Sequence, residues 1–347
     1  MTTTDLATRW RTLRETTPHL RTRDAAAELG ISEAELIDTT VGDTAIRLAI
    51  DPPGLLHALT EVGPCMALTR CESAVSEVRG RYGGIELGAH AGQVVGEHID
   101  LRVFLDHWRH AYAIDEPHPT KKDTRRRSIH VFDRAGLAVH KIYLEPEGDA
   151  AAWDAYVKRT PVVSEPPVFE ASPPLRVERP DAEVDVAPMQ AAWDAMTDTH
   201  EFFHLLANHK VSRTQALRLA GAPRARRVAN DALNQVLHDS AETGEKIMIF
   251  VGNKGCLQVF SGPVKKIVRA GTWLNVLDPG FNLHVREDQI AGSWVVAKPT
   301  SAGVVTSLEL FDAGGNTVAL VFRKRDDRAN PEDPAWHAVL DRLPEAR

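Results

Sequence analysis

Cysteine is scarce in this chain of 347 residues: Cys65, Cys71 and Cys256 form neither a CxxC pair nor a CxxCH signature. The odd count and wide spacing exclude a disulfide framework and covalent heme attachment, and they fit a reducing compartment. Long apolar runs are also missing. No stretch approaches the roughly 20 residues that span a bilayer, and Met1–Arg14 is polar rather than signal-like, so a cytoplasmic location without membrane insertion is expected. Basic charge is in deficit, with 41 Lys and Arg against 48 Asp and Glu and a net charge of -7; nucleic acid is not expected as a partner. A dinucleotide fingerprint and a flavin motif are likewise absent from the sequence.

What is present is an ordinary globular composition, 43% hydrophobic and 26% charged, long enough for about two domains. Between Arg159 and Pro188 lie Pro161, Pro166, Pro167, Pro173, Pro174, Pro180 and Pro188 among acidic and small residues, which reads as an extended linker. The expected organisation is a first repeat over 1–160, a linker over 161–188 and a second repeat over 189–347. The two halves match weakly but in register. Ala74–Val75–Ser76 and Gly80 align with Cys256–Leu257–Gln258 and Gly262, Leu101–Arg102–Val103 with Leu283–His284–Val285, and Ser128 through Phe132–Asp133 to Gly136 with Ser307 through Phe311–Asp312 to Gly315. Each half opens with helical patterning and continues with short strands such as Ile247–Val251, Leu257–Phe260, Trp294–Val296, Val305–Phe311 and Val318–Phe322. The fold class is therefore α+β, with tandem duplicated domains that each carry a large antiparallel β-sheet and flanking helices.

The segment Met189–His209 spaces Trp193, Met196, His200 and Phe203 by three, four and three, the pattern of one apolar helical stripe. An imidazole on such a face can serve as an axial donor to heme iron, although a hydrogen-bonded core histidine explains the same pattern. His204 follows four residues later, and His200-Glu201-x-x-His204 satisfies the letters of a zincin, with no evident third ligand downstream. In Ile99–Leu105, alternation puts Leu101, Val103 and Leu105 on one face and Asp100, Arg102 and Phe104 on the other. By itself Arg102 reads as an exposed strand arginine paired with Asp100.

TDTHEFFHLL, GNKGCLQVFSGPVKKI, WLNVLDPGFNLHVREDQIAGSWVVAKPT and VTSLELFDAGGNTVALVFRKR follow one another in the second half, and MALTR, a Gly–Arg–Tyr stretch and IDLRVFLDHW in the first. In these blocks the chain resembles the HemS/HmuS family of hemin-transport and hemin-degrading proteins over nearly its whole length. The resemblance implies a cytoplasmic protein that handles imported heme, held non-covalently in a cleft between the halves. It implies that His200 is the axial iron ligand, that Arg102 approaches the distal side, and that Arg213, Lys298 and Arg325 contact the propionates or ring edge. Arg and Lys suit anionic propionates, the former through a bidentate fork. Ser73 and Ser76 stand where the resemblance leads one to expect histidines, which weakens the case for a second heme in the first half, and His284, opposite Arg102 in the repeat, is expected to be structural.

Two functions remain open within that reading: a non-enzymatic carrier, and a heme-degrading oxygenase that needs an external electron donor, with Arg102 as the candidate catalytic residue. Expected partners are heme and, beyond it, a heme importer, a heme oxygenase or an electron donor. A rival of another class is DNA binding through the helix-turn-helix-like segment Arg23–Leu36. Its second helix carries Glu33, Glu35 and Asp38, whereas the corresponding second-half region carries Arg224, Arg226 and Arg227, so a packed helical hairpin is the simpler reading.

Overall fold

The computed structural model describes residues 3–17, 20–172, 177–324 and 334–346. The chain forms two units. The first comprises Met1–Arg70, Glu77–Pro173 and Gly252–Gln258, and the second Cys71–Ser76, Pro174–Val251 and Val259–Arg347.

In the first unit, helices α1 (Thr3–Thr16), α2 (Thr22–Leu29) and α3 (Glu33–Asp38) precede β1 (Ala45–Leu48), and α4 (Pro52–Val62) leads to β2 (Pro64–Arg70) and β3 (Ala74–Arg81). Short strands β4 (Ile85–Leu87), β5 (Ala91–Val95) and β6 (Asp100–Phe104) follow, then β7 (His110–Pro117), β8 (Arg125–Phe132), β9 (Ala138–Leu144) and helix α5 (Ala150–Arg159). Strands β1, β7, β8, β9 and β2 pair antiparallel in that order, and β4, β5 and β6 pair antiparallel in theirs.

The local signals are legible. Gly30 closes α2 at φ 73, a left-handed position that glycine adopts without steric cost. Two residues on, Ser32 caps α3 in a reciprocal capping box with Glu35, an arrangement typically worth about 1 kcal/mol. The helix-turn-helix-like segment is thus a packed hairpin. Ala34 and Leu36 are wholly buried, and the Glu33 carboxylate accepts from buried Lys141 Nζ at 2.5 Å. Arg224 pairs with Asp194, and Arg226 and Arg227 donate to backbone carbonyls, so these arginines finish local structure.

The second unit repeats the scheme. Helices α6 (Val186–Asp194), α7 (Glu201–His209) and α8 (Arg213–Ala220) precede β10 (Ala225–Val228), and α9 (Ala232–Thr243) leads to β11 (Ile247–Gly252) and β12 (Cys256–Gly262). Then come β13 (Ile267–Ala270), β14 (Trp273–Asp278), β15 (Phe281–Arg286), β16 (Gly292–Thr300), β17 (Gly303–Phe311), β18 (Thr317–Arg323) and helix α10 (Pro334–Asp341). Strands β10, β16, β17, β18 and β11 pair antiparallel in the first unit's order, and β13, β14 and β15 answer to β4, β5 and β6. Even an irregularity recurs: the register slips between Val131 and Phe132 in one sheet and between Leu310 and Phe311 in the other, at positions aligned by the repeat.

Each unit also contains a short piece from the other half of the sequence. In the first, Asn253 Nδ2 donates to the Arg70 and Val139 carbonyls at 2.9 Å, and Trp108 Nε1 donates to the Gly255 carbonyl at 3.0 Å. A Cβ at Gly255 would come within 2.6 Å of Val139, so only glycine fits. In the second, Ser73 Oγ donates to Gln289 Oε1 and the Arg286 amide donates to the Ser73 carbonyl, both at 2.8 Å. Ser73 and Ser76 are accordingly buried packing residues. Among the described residues no helix is long and apolar enough to cross a membrane.

Candidate functional site

The stripe anticipated over Met189–His209 divides in two. Helix α6 ends at Asp194 and α7 begins at Glu201, with His200 as its N-cap residue. Local polar bonds break the helix. Thr197 donates from its amide and its hydroxyl to Glu201 at 2.9 Å, and Asp198 Oδ1 accepts from the His200 amide at 2.7 Å. Trp193 and Met196 consequently fall into the core with Phe202 and Leu205. His200, by contrast, is exposed, its side chain 87% accessible, and Phe203 on the same helical face is 63% accessible.

The His200 ring is oriented. Nδ1 lies 2.6 Å from Asp198 Oδ1, so Nδ1–H donates to the carboxylate and Nε2 is the ring nitrogen left for a ligand. The His200 amide and then its ring hold the Asp198 carboxyl below the usual carboxylate range. A histidine oriented by a carboxylate, with its second nitrogen open, is the arrangement that metal-ligating imidazoles adopt. Glu201, the would-be zincin base, is committed to Thr197, and no group of three or more metal-donor side chains clusters among the described residues.

Arg213 and Lys298 are brought together beneath the same helix. Arg213 Nε and Nη2 donate to the two oxygens of Glu309 at 2.7 and 2.8 Å, and Lys298 Nζ donates to Oε1 at 2.5 Å. Glu309 is fully buried. Burial alone would raise its pKa, but Arg213 and Lys298 override it and hold the carboxyl well below the ordinary range; for Lys298, burial dominates and lowers the ammonium. Both cations face the Phe202 ring, Lys298 Nζ at 4.6 Å and Arg213 Cζ at 5.1 Å from its centroid. Phe202 in turn meets Trp193 edge-on at 4.8 Å, and Trp193 Nε1 donates to the Ala297 carbonyl. A buried strut therefore runs from Glu309 to the first turn of α7, next to His200.

Arg102 belongs to the first unit, on β6. Leu101 and Val103 are wholly buried while Arg102 and Phe104 share the other face, as alternation requires, and Arg102 Nη1 bonds the Asp100 carboxylate. The strand stops at Phe104, so Leu105 enters a 3-10 turn instead of extending the apolar face. His284 is half-buried, with Nδ1 2.6 Å from Asn275 Oδ1 on the adjacent strand, a structural placement. Arg325 lies outside the described residues.

Two residues escaped the reading of the sequence. Asp198 had a signal in its position two residues before a candidate ligand, the spacing of an Asx turn. Glu309 had one too: a glutamate inside the apolar run of VVTSLELF must find a buried cation.

The model of the haemin-degrading HemS.ChuX domain matches residues 30–160 and again 210–343, covering Arg102, Arg213, Lys298 and Arg325, with His200 in the interval between the matches. The chain is 40% identical to hemin transport protein HmuS of Yersinia pestis over 325 residues, 92% of each sequence. Among solved structures it is similar to holo-PhuS, a heme-binding protein from Pseudomonas aeruginosa, at 41% identity and TM-score 0.94 with both chains fully covered. It is also similar to ChuS, an E. coli heme oxygenase, at 36% identity and TM-score 0.86, with 98% of this chain and 99% of that one covered. The duplicated sheets, the doubled domain match and these relatives together establish that the chain belongs to the HemS family.

Proposed function

We propose that this protein binds heme non-covalently with His200 Nε2 as the axial iron ligand, and that it handles imported heme in the cytoplasm. One observation carries the reading: an exposed histidine whose Nδ1–H is held by Asp198, leaving Nε2 as the nitrogen for a ligand, three residues before the exposed Phe203. That donor set fits heme, since the imidazole meets the iron and the Phe203 ring offers apolar surface to the porphyrin. Arg213 and Lys298 are proposed to draw the propionates, joined by Arg325, and Arg102 is proposed as a further heme-contacting residue. Bound heme supplies an iron centre capable of redox chemistry; the chain's contribution is to ligate the iron, fix the imidazole tautomer and neutralise the carboxylates. Purified protein should take up one heme with a Soret shift that His200→Ala largely abolishes; an unchanged spectrum and affinity in that variant would reject the assignment.

A second reading, degradation of the bound heme for iron release, is favoured by the similarity to a heme oxygenase along almost the entire chain. It requires an electron donor from outside the chain, as delivery requires an importer upstream. Incubating the complex with reductant, with and without oxygen and with catalase to remove peroxide, separates the two: ring-opened product supports degradation, and intact heme throughout supports a carrier.

A further inference from the structure

Glu309 sits inside the apolar run of β17 with no exposed surface, yet its two oxygens accept four hydrogen bonds: two from Arg213, one from Lys298, and one from the Ser307 hydroxyl at 3.2 Å. One anion thus serves two cations, and the cluster retains a single net positive charge. Its geometry is what a heme propionate would seek, a guanidinium edge and an ammonium converging on one carboxylate. Glu309 already fills that role.

We infer that Glu309 is an internal stand-in for a propionate: it occupies Arg213 and Lys298 in the empty chain, and a heme carboxylate binds by competing with it, so that Glu309 sets how readily heme is released. The inference rests on the heme reading above. Without Glu309, a buried ammonium and a partly buried guanidinium would stand unpaired, a strongly unfavourable state. With it, a second carboxylate must share donors already engaged and must approach a like charge. The result is a heme held less tightly than two free cations would hold it, as suits a protein that passes its cargo on. The arrangement is particular to the second unit. By the repeat alignment the counterpart of Glu309 is His130, and the cation nearby, Lys141, pairs with Glu33 instead.

The test compares hemin with hemin dimethyl ester, which keeps the iron and ring but lacks the carboxylates. Release into excess apomyoglobin is timed for wild type, Glu309→Gln and Glu309→Asp, the last retaining the buried charge on a shorter arm in case the first does not fold. Freeing the donors should slow hemin release on the order of tenfold in Glu309→Gln, less in Glu309→Asp, and should leave the ester's release within about twofold. Equal effects on both porphyrins, no effect on either, or faster release of hemin would overturn the inference while leaving His200 ligation of the ester intact. Ester binding that does not depend on His200 would instead overturn the heme reading, and this inference with it.

Discussion

The two units share a strand order, a sheet irregularity and a helix hairpin, yet they differ where chemistry is expected. In both, a left-handed residue closes one helix and a serine two residues later caps the next: Gly30 and Ser32 in the first unit, Lys210 and Ser212 in the second. That register sets Glu33 against Arg213 at the helix start and Leu20 against His200 ahead of it. Both units bury an ion pair between helix start and sheet, but its polarity is reversed. Glu33 meets Lys141 in one, and Arg213 meets Glu309 in the other. Duplication kept the scaffold, and the second copy alone placed a histidine at the N-cap and a cationic pair below it. Leu20 packs against a small hydrophobic cluster, as a residue without a ligand role would.

Breaking the ion pairs tests that contrast most strongly. Lys141→Ala strands Glu33 in the core and should cost about 3–5 kcal/mol, measured by denaturant unfolding. Arg213→Ala leaves Glu309 with Lys298 and should cost less, so equal losses would contradict the shared-anion arrangement.

Next in size is the orienting carboxylate. Asp198→Ala frees the His200 ring and should weaken heme affinity about 10–100-fold, with little change in thermal stability because both side chains are exposed. Unaltered affinity would remove Asp198 from the site.

Acid should then separate the units. His130 is buried with no hydrogen-bond partner among the described residues, and burial lowers its pKa well below the ordinary value. His140, bonded to Thr69 Oγ1 and Tyr82 Oη, is lowered by burial from 6.5 to about 3. The unfolded chain takes up protons at these histidines that the folded first unit refuses. Their contribution to stability is therefore complete above about 6.5 and is lost as the pH falls toward 3. Hydrogen exchange should show β8 and β9 losing protection in this window before α7 and α8 do; the reverse order would contradict the assignment.

Smallest is Arg102→Ala. Its bond to Asp100 is partly exposed, so the fold should lose no more than about 1 kcal/mol, while the heme spectrum or turnover changes. An identical spectrum and rate would leave Arg102 as a strand arginine and nothing more.

The duplicated α+β fold was legible because strand alternation and turn residues recur in register in both halves. The exchange of Cys71–Ser76 and Gly252–Gln258 between units was not. Both lie at equivalent positions of the repeat, so sequence alone cannot say which copy completes which unit. At His200 the periodicity misled: the sequence spacing runs unbroken across Thr197–Asp198–Thr199, so a stripe can be read straight through the break although Trp193 and Met196 are core and His200 and Phe203 are exposed. The buried role of Arg213 and Lys298 needed three-dimensional knowledge of Glu309, which lies 96 residues from one and 11 from the other. Likeness to the family singles out those cations as candidates without revealing that an internal anion already holds them.

Chemical rescue at His200 tests the central claim most directly. His200→Gly should lose the histidine-ligated Soret spectrum of the hemin complex, and imidazole added in solution should restore it at the exposed site. A variant that keeps the wild-type spectrum without imidazole would show that the iron ligand is another residue.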